Sequence, residues 1–189
     1  MSKDKYFPRL LSYYKEKVIP VMMKEFGYKS PYEVPRIEKV VVNSGVSIAK
    51  EDIKYLDEAI LQLTNITGQR PCIRRAKKSI SNFRLRKGMP IGCKVTLRGW
   101  KAYEFIDRLI SISIPRLKDF RGLSYKGFDR DGNYNLGIGD ITIFPEVNMD
   151  KMSRQYGASI SIVIRGGKKV DEKKRMLELL GFPFERRKK

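Results

Sequence analysis

The sequence predicts an α/β fold of the α+β type, an antiparallel or mixed β-sheet with helices packed on one face and a ligand on the other. Three observations lead there. Helix-like and strand-like segments mingle along the 189 residues without strict βαβ repetition. Residues 91–98 alternate Ile91, Cys93, Val95 and Leu97 with Gly92, Lys94, Thr96 and Arg98, so a strand there has one apolar face and one basic, hydrogen-bonding face. With 41% apolar residues, 11% aromatics and no Gly-, Ser- or Pro-rich linker, residues 1–189 are expected to share a real core as one domain.

From Asp4 to Phe26, Leu11, Tyr14, Val18, Val21 and Met22 recur at spacings of three and four, an amphipathic helix that Pro20 should kink and Gly27 should stop. The β-branched run from Ile37 to Val42 reads as a strand, with Asn43 at its polar end and Ser44 to Ser47 as the closing turn. Residues 50–64 place Ile53, Leu56, Ile60 and Leu63 on one stripe, with Glu51 and Asp52 in the first turn, where acids favour the helix dipole. Trp100 to Leu117 is apolar enough for a mostly buried helix that closes near Pro115. Residues 119–140 hold five glycines and the Asp131-Gly132 pair, and are expected as a long exposed excursion. Residues 141–147 and Ser159 to Arg165 read as strands. Asp171 is placed to cap a last short helix whose Met176, Leu177 and Leu180 pack inward before Gly181.

The formal charge is +19, from 40 Lys and Arg against 21 Asp and Glu, and it is unevenly spread. Residues 59–103 contain no acid, yet they carry eleven cations between Arg70 and Lys101. A solvated surface mixes both signs, whereas exclusion of acids over such a length inside a folded chain calls for a polyanionic partner. Within this stretch, residues 74–89 interleave Ile80, Phe83 and Leu85 with Arg74, Arg75, Lys77, Lys78, Arg84 and Arg86, and Gly88 and Pro90 act as breakers. They are expected to form a loop projecting from a two-strand base, with too little apolar surface to fold back as core.

The same composition closes other routes. Without any His, the commonest general base and a Cys/His zinc site are both missing. Cys72 and Cys93 are too few for a disulfide scaffold and are expected to be small buried hydrophobes. No Walker loop, GxGxxG or spaced carboxylate cluster occurs, so no catalytic residue, metal or cofactor is assigned. The rival enzyme reading, in which the basic stretch docks a nucleic acid that the chain then modifies, would have to use carboxylates such as Glu146 or Asp150. No apolar run approaches a membrane span, Met1 to Leu10 lacks the apolar core of a secretory signal, and residues 74–90 lack the helical period of a membrane-surface segment. A cytoplasmic protein with no membrane partner is expected, with a fraying basic end from Glu185 to Lys189.

Four blocks in order carry a resemblance to a known family. They are VPRIEKVVVNSGVS at 34–47, GQRPCIRRAKKSISNFRLRKGMPIGCKVTLRG at 68–99, YEFIDRLI with PRLKDFRGLS between 103 and 124, and FDRDGNYNLGI with IFPEV up to 147. They resemble the bacterial large-subunit ribosomal protein five family, which binds 5S ribosomal RNA. The resemblance implies a non-enzymatic ribosomal protein whose sheet face and adjoining loops hold 5S RNA in the central protuberance, beside 23S RNA and neighbouring large-subunit proteins. It carries the family's RNA-facing polar positions to Asn43, Gln69 and Thr96, beside which Arg70, Lys94 and Arg98 supply charge. It also implies that the loop 74–89 reaches transfer RNA in the ribosomal P site, through Arg74, Arg75, Lys77, Lys78, Ser79, Phe83, Arg84, Arg86 and Lys87. The Gly-rich excursion would meet a small-subunit head protein as an intersubunit bridge. The chain departs from the family pattern at Ser44, Ser47, Arg74, Gly139 to Ile141, and Ala158 with Ser159.

Overall fold

In the computed structural model, which describes residues 7–50, 52–118, 120–149 and 152–185, the strands are β1 (Arg36–Gly45), β2 (Cys72–Arg75), β3 (Pro90–Arg98), β4 (Tyr134–Ile138) and β5 (Ala158–Arg165). They form an open antiparallel sheet in the order β2-β3-β1-β5-β4, and with the helices they give the α+β fold that the sequence predicts. The helices are α1 (Arg9–Tyr13), α2 (Ile19–Phe26), α3 (Lys54–Thr67), α4 (Trp100–Arg108) and α5 (Val170–Leu179). The chain divides into two compact units, Met1–Val40 with Leu97–Asn135 and Ser161–Lys189, and Val41–Thr96 with Leu136–Ile160.

In the first unit, α1 passes through a π turn (Tyr14–Val18) into α2, and Gly27 stops the helix in the left-handed region at φ 67°. The π turn explains how Pro20 is housed. A proline ring collides with the carbonyl four residues back, and widening the turn, so that the Ile19 amide donates to the Tyr14 carbonyl, removes the collision without breaking the helix. The device recurs where α4 runs through a π turn (Leu109–Ser113), with the Ile114 amide donating to the Leu109 carbonyl just ahead of Pro115. Asp4, the expected start of the first helix, lies outside the described residues.

Two expectations in this unit are corrected. Asp171 does not cap α5: Lys169 occupies that place, and Asp171 pairs within the first turn with Lys174 at 3.1 Å. The helix start is satisfied by Glu172, whose carboxylate accepts from the Tyr28 hydroxyl and the Lys168 amide. Burial would raise the Glu172 carboxyl, but these bonds hold it below its ordinary range. The run 119–140 is only partly exposed among its described residues, 120–140, because β4 lies within them, with Leu123 and Tyr134 buried in this unit and Ile138 in the second. Within this unit Tyr134 sits among the rings of Phe128, Phe182 and Phe184, at centroid distances of 4.8 to 6.3 Å, and that apolar cluster outweighs the turn chemistry of the glycines.

In the second unit, α3 buries Leu56, Ala59, Leu63 and Ile66. It starts later than the stripe predicts: Asp52 caps from outside, accepting the Lys54 amide at 2.9 Å, and Ile53 is 56% exposed. Glu51 lies outside the described residues. Gln62, fully buried on α3, is satisfied by Asn148, whose amide donates to it and whose carbonyl accepts from it. Residues 141–147 are not a strand. Ile141–Ile143 is a short 3-10 turn whose start is held by Asp140, which accepts the Thr142 amide, and Ile141, Ile143 and Phe144 reach the core from that turn. Ser44 and Gly45 extend β1 instead of turning: Ser44 is buried, its hydroxyl donating to the Gly157 carbonyl at 2.7 Å.

β1 and β3 approach closely at Gly92, where an added Cβ would sit 2.6 Å from the Ser44 carbonyl oxygen. Both atoms are held by the sheet, since the Val46 amide donates to the Ile91 carbonyl at 2.9 Å. Gly92→Ala should therefore destabilise by about 1–3 kcal/mol, read from the denaturant midpoint. Gly45→Ala, whose Cβ meets nothing within 4 Å, should be close to neutral. Equal midpoints for the two variants would refute the close approach.

Candidate nucleic-acid interface

The basic stretch is built on the β2–β3 hairpin. Cys72 pairs with Lys94, Ile73 with Cys93 and Arg74 with Gly92, and the register then slips so that Arg75 faces Pro90. On β3, Cys93, Val95 and Leu97 are buried while Lys94 and Thr96 stay half-exposed, the alternation that the sequence predicts. On β1, Val42 and Ser44 turn inward and Asn43 lies in the outer row, so Asn43, Lys94 and Thr96 share the uncovered face of neighbouring strands in the second unit.

Gln69 is half-buried and Arg70 exposed, just past the left-handed Gly68 (φ 63°) that ends α3. Thr67 fixes this corner, its hydroxyl donating to the Leu63 carbonyl at 2.6 Å. Among the described residues, the side chains of Asn43, Gln69 and Thr96 make no protein hydrogen bond, so their donors and acceptors remain available to a ligand. Arg98, on the first-unit part of β3, lies 3.8 Å from Glu38 on an exposed surface, a weak pair.

The loop between the strands has an architecture of its own. The Ala76 amide donates to the Met89 carbonyl, and the Gly88 amide to the Ala76 carbonyl, at 2.8 and 2.9 Å. Further out, Ile80 and Leu85 form an isolated antiparallel bridge with both amides donating across it, at 2.9 and 3.1 Å. Between them runs a 3-10 turn, Ser81–Phe83, and the Lys87 amide donates to the Ser79 hydroxyl at 3.0 Å. Arg84 closes the tip at φ 51°, the only non-glycine residue with positive φ among the described ones, and such strain is concentrated at functional positions. Residues 74–89 are thus a second, smaller hairpin. Sequence reasoning missed it because Gly88 and Pro90 read as breakers; the available signal was the pair Ile80 and Leu85 flanking the turn residues Ser81 and Asn82.

Arg74, Arg75, Lys77, Lys78, Ser79, Phe83, Arg84, Arg86 and Lys87 are all exposed. Among the described residues no carboxylate lies within ion-pair distance of any of these cations, nor of Arg70 or Lys94. Like charges held together without counter-charges repel, and the repulsion is relieved when a polyanion binds.

Two family models match in tandem, that of ribosomal protein L5 over residues 30–86 and that of its C-terminal part over residues 90–184. The chain belongs to the ribosomal protein L5 family. Proteins named large ribosomal subunit protein uL5 are similar to it along most of its length: that of a Thermoanaerobacter species is 52% identical, that of Alkaliphilus oremlandii 51% and that of Geotalea uraniireducens 49%. Each comparison spans 176 residues, 93% of this chain and 98% of the relative. The ribosomal protein L5 family is one of ribosomal proteins and not of enzymes, which removes the reading with Glu146 and Asp150 as catalytic acids. Asp150 itself lies outside the described residues. Among the described residues no helix is long and apolar enough to cross a membrane, and no three His, Cys, Asp or Glu side chains gather as metal ligands.

The two cysteines part company, which corrects the expectation that both are buried. Cys93 is fully buried and its thiol is pushed up to about 11 by burial, whereas Cys72 is exposed. The reason is position: β2 is an edge strand of the sheet and every one of its residues is exposed. In the native protein at pH 8, an alkylating reagent should modify Cys72 and spare Cys93 until denaturant is added, as peptide mass spectrometry would read. Equal labelling of both would refute the edge placement.

Proposed function

We propose that this protein is a structural component of the large ribosomal subunit that binds 5S ribosomal RNA through Asn43, Gln69, Arg70, Lys94, Thr96 and Arg98, in the cytoplasm. The hairpin 74–89 then contacts P-site transfer RNA, and the segment 119–140 meets a small-subunit head protein. The observation that supports this most is the exposed surface of β2, the second-unit part of β3 and their hairpin, where among the described residues no carboxylate lies within ion-pair distance of the cations and the side chains of Asn43, Gln69 and Thr96 make no protein hydrogen bond. Binding is charge neutralisation combined with shape recognition. Phosphates replace condensed counterions with Lys and Arg, while the wide minor groove of A-form RNA offers 2′-hydroxyls to Asn, Gln and Thr.

The sheet-face assignment is tested by Thr96→Val, which keeps the shape and leaves RNA groups unpaired. 5S RNA should bind about 1–3 kcal/mol more weakly, with an unchanged slope of log affinity against log salt. Parent-like affinity would sink the assignment. The hairpin assignment is tested by replacing residues 76–87 with a tight turn. 5S binding should survive while P-site transfer RNA is held less firmly on assembled ribosomes. Loss of 5S binding in a folded variant would instead make the hairpin a ribosomal RNA clamp.

A further inference from the structure

Within the first unit, a groove of about 660 Å³ runs between the end of α2, the helix α5 and residues 182–185. Asp171, Arg175 and Glu178, with Lys174 beside them, recur at helical spacing and form one stripe of α5 along its wall. The other side is aromatic: Phe182 is buried, Phe184 stacks on Tyr125 with ring centroids 4.8 Å apart, and Phe26 is 39% exposed. Four carboxylates, from Glu25, Asp171, Glu178 and Glu185, face two cations, Lys174 and Arg175, which leaves the groove at −2 in a chain that carries +19. Arg175 shows what such acids hold. Its guanidinium donates to both oxygens of Glu25 at 2.8 and 2.9 Å and meets Glu178 at 3.4 Å. Glu185 is exposed, and among the described residues no cation lies within ion-pair distance of it.

We propose that this groove is a docking surface for an arginine-bearing segment of another protein, its guanidinium groups held by Asp171 and Glu185 and its aliphatic stems laid on Phe26 and Phe184. The proposal goes beyond the RNA reading and does not rest on it. Charge decides the occupant. Carboxylates repel phosphates, so the groove rejects the polyanion that the basic hairpin attracts, and an acid-rich recess in a cationic chain draws a cationic partner. The rings decide its form. A guanidinium is planar and weakly hydrated, stacks on aromatic faces and meets a carboxylate with two parallel hydrogen bonds, whereas a Lys ammonium is a strongly hydrated point charge. The groove is larger than any one side chain, which suits a segment of chain over a lone cation. Of its lining residues, Tyr125 alone lies within 119–140, so this surface is not the one assigned to the small-subunit protein.

The test uses the full-length protein and a fluorescein-labelled decapeptide of alternating Arg and Ala, read by fluorescence anisotropy. The peptide should bind, and its alternating Lys and Ala counterpart should bind several-fold more weakly. Asp171→Asn with Glu185→Gln should weaken binding roughly tenfold, and Phe26→Ala roughly threefold, since a cation–π contact at an exposed site is a small contribution. Thr96→Val should leave peptide affinity unchanged, which separates this surface from the RNA-binding face. Asp171 and Glu185 are exposed, and unaltered melting profiles check that the variants are folded. A parent that does not bind the peptide, or groove variants that bind it like the parent, overturn the proposal and leave the RNA-facing hairpin standing. Spermine that competes as strongly as unlabelled peptide would give the groove to a lone polycation. A chain lacking residues 186–189, which are Arg-Arg-Lys-Lys, would give it to those residues if peptide affinity rose tenfold. A parent that dimerises until Asp171 and Glu185 are replaced would give it to a second copy. Each of these three results also overturns the proposal.

Discussion

The hairpin that carries the charge depends on the seam between β3 and β1. The seam is narrow because Gly92 has no side chain where the Ser44 carbonyl comes close, and it is closed by the bond from the Val46 amide to the Ile91 carbonyl. From this seam the sheet extends through β3 to β2 at its edge, and the smaller hairpin continues outward from the ends of β2 and β3. Exposed cations without counter-charges weaken any structure that carries them. Here the opposing stabilisation comes from the buried row Cys93 and Val95, and from the helix α3 that buries Leu56, Leu63 and Ile66 in the same unit.

Acids are used differently in the first unit. Arg9 pairs with Asp107 at 2.6 Å, Arg108 with Glu104 at 2.6 Å, and Arg175 with Glu25 and Glu178 at 2.8 and 3.4 Å. The Glu25 carboxyl is held below its ordinary range chiefly by its hydrogen bond from Arg175. Such exposed pairs contribute little stability each, about 0–1 kcal/mol. Their effect on function is larger, because these cations are matched, whereas among the described residues no carboxylate lies within ion-pair distance of the cations of the basic hairpin.

The two prolines embedded in helices show the same economy of means. Pro20 and Pro115 each follow a π turn by two residues; the first helix continues past its proline to Phe26, whereas the second closes one residue after its own, at Arg116. The continuity keeps Tyr14 in place, where its hydroxyl donates to the Pro35 carbonyl at 2.8 Å, immediately before β1 begins. The start of the central strand is therefore pinned from a helix that local rules alone would have cut in two.

What the sequence determined by itself was whatever depends on near neighbours: the alternation of β3, the helix stop at Gly27, the acid-free stretch, and the ordered blocks that mark the family. Periodicity and turn chemistry act within a few residues, so they can be read along the chain. Burial of Cys72, the form of residues 141–147 and the exposure of residues 119–140 were misread because each depends on what covers the segment. Cys72 lies on an outermost strand with nothing over it, Asp140 turns a β-branched run into a 3-10 turn, and an aromatic cluster draws Tyr134 out of a Gly-rich run. Gly45, Phe83 and Ile91 are far apart in the chain, and only the pairing of β1 with β3 and the fold of the small hairpin bring them to one groove.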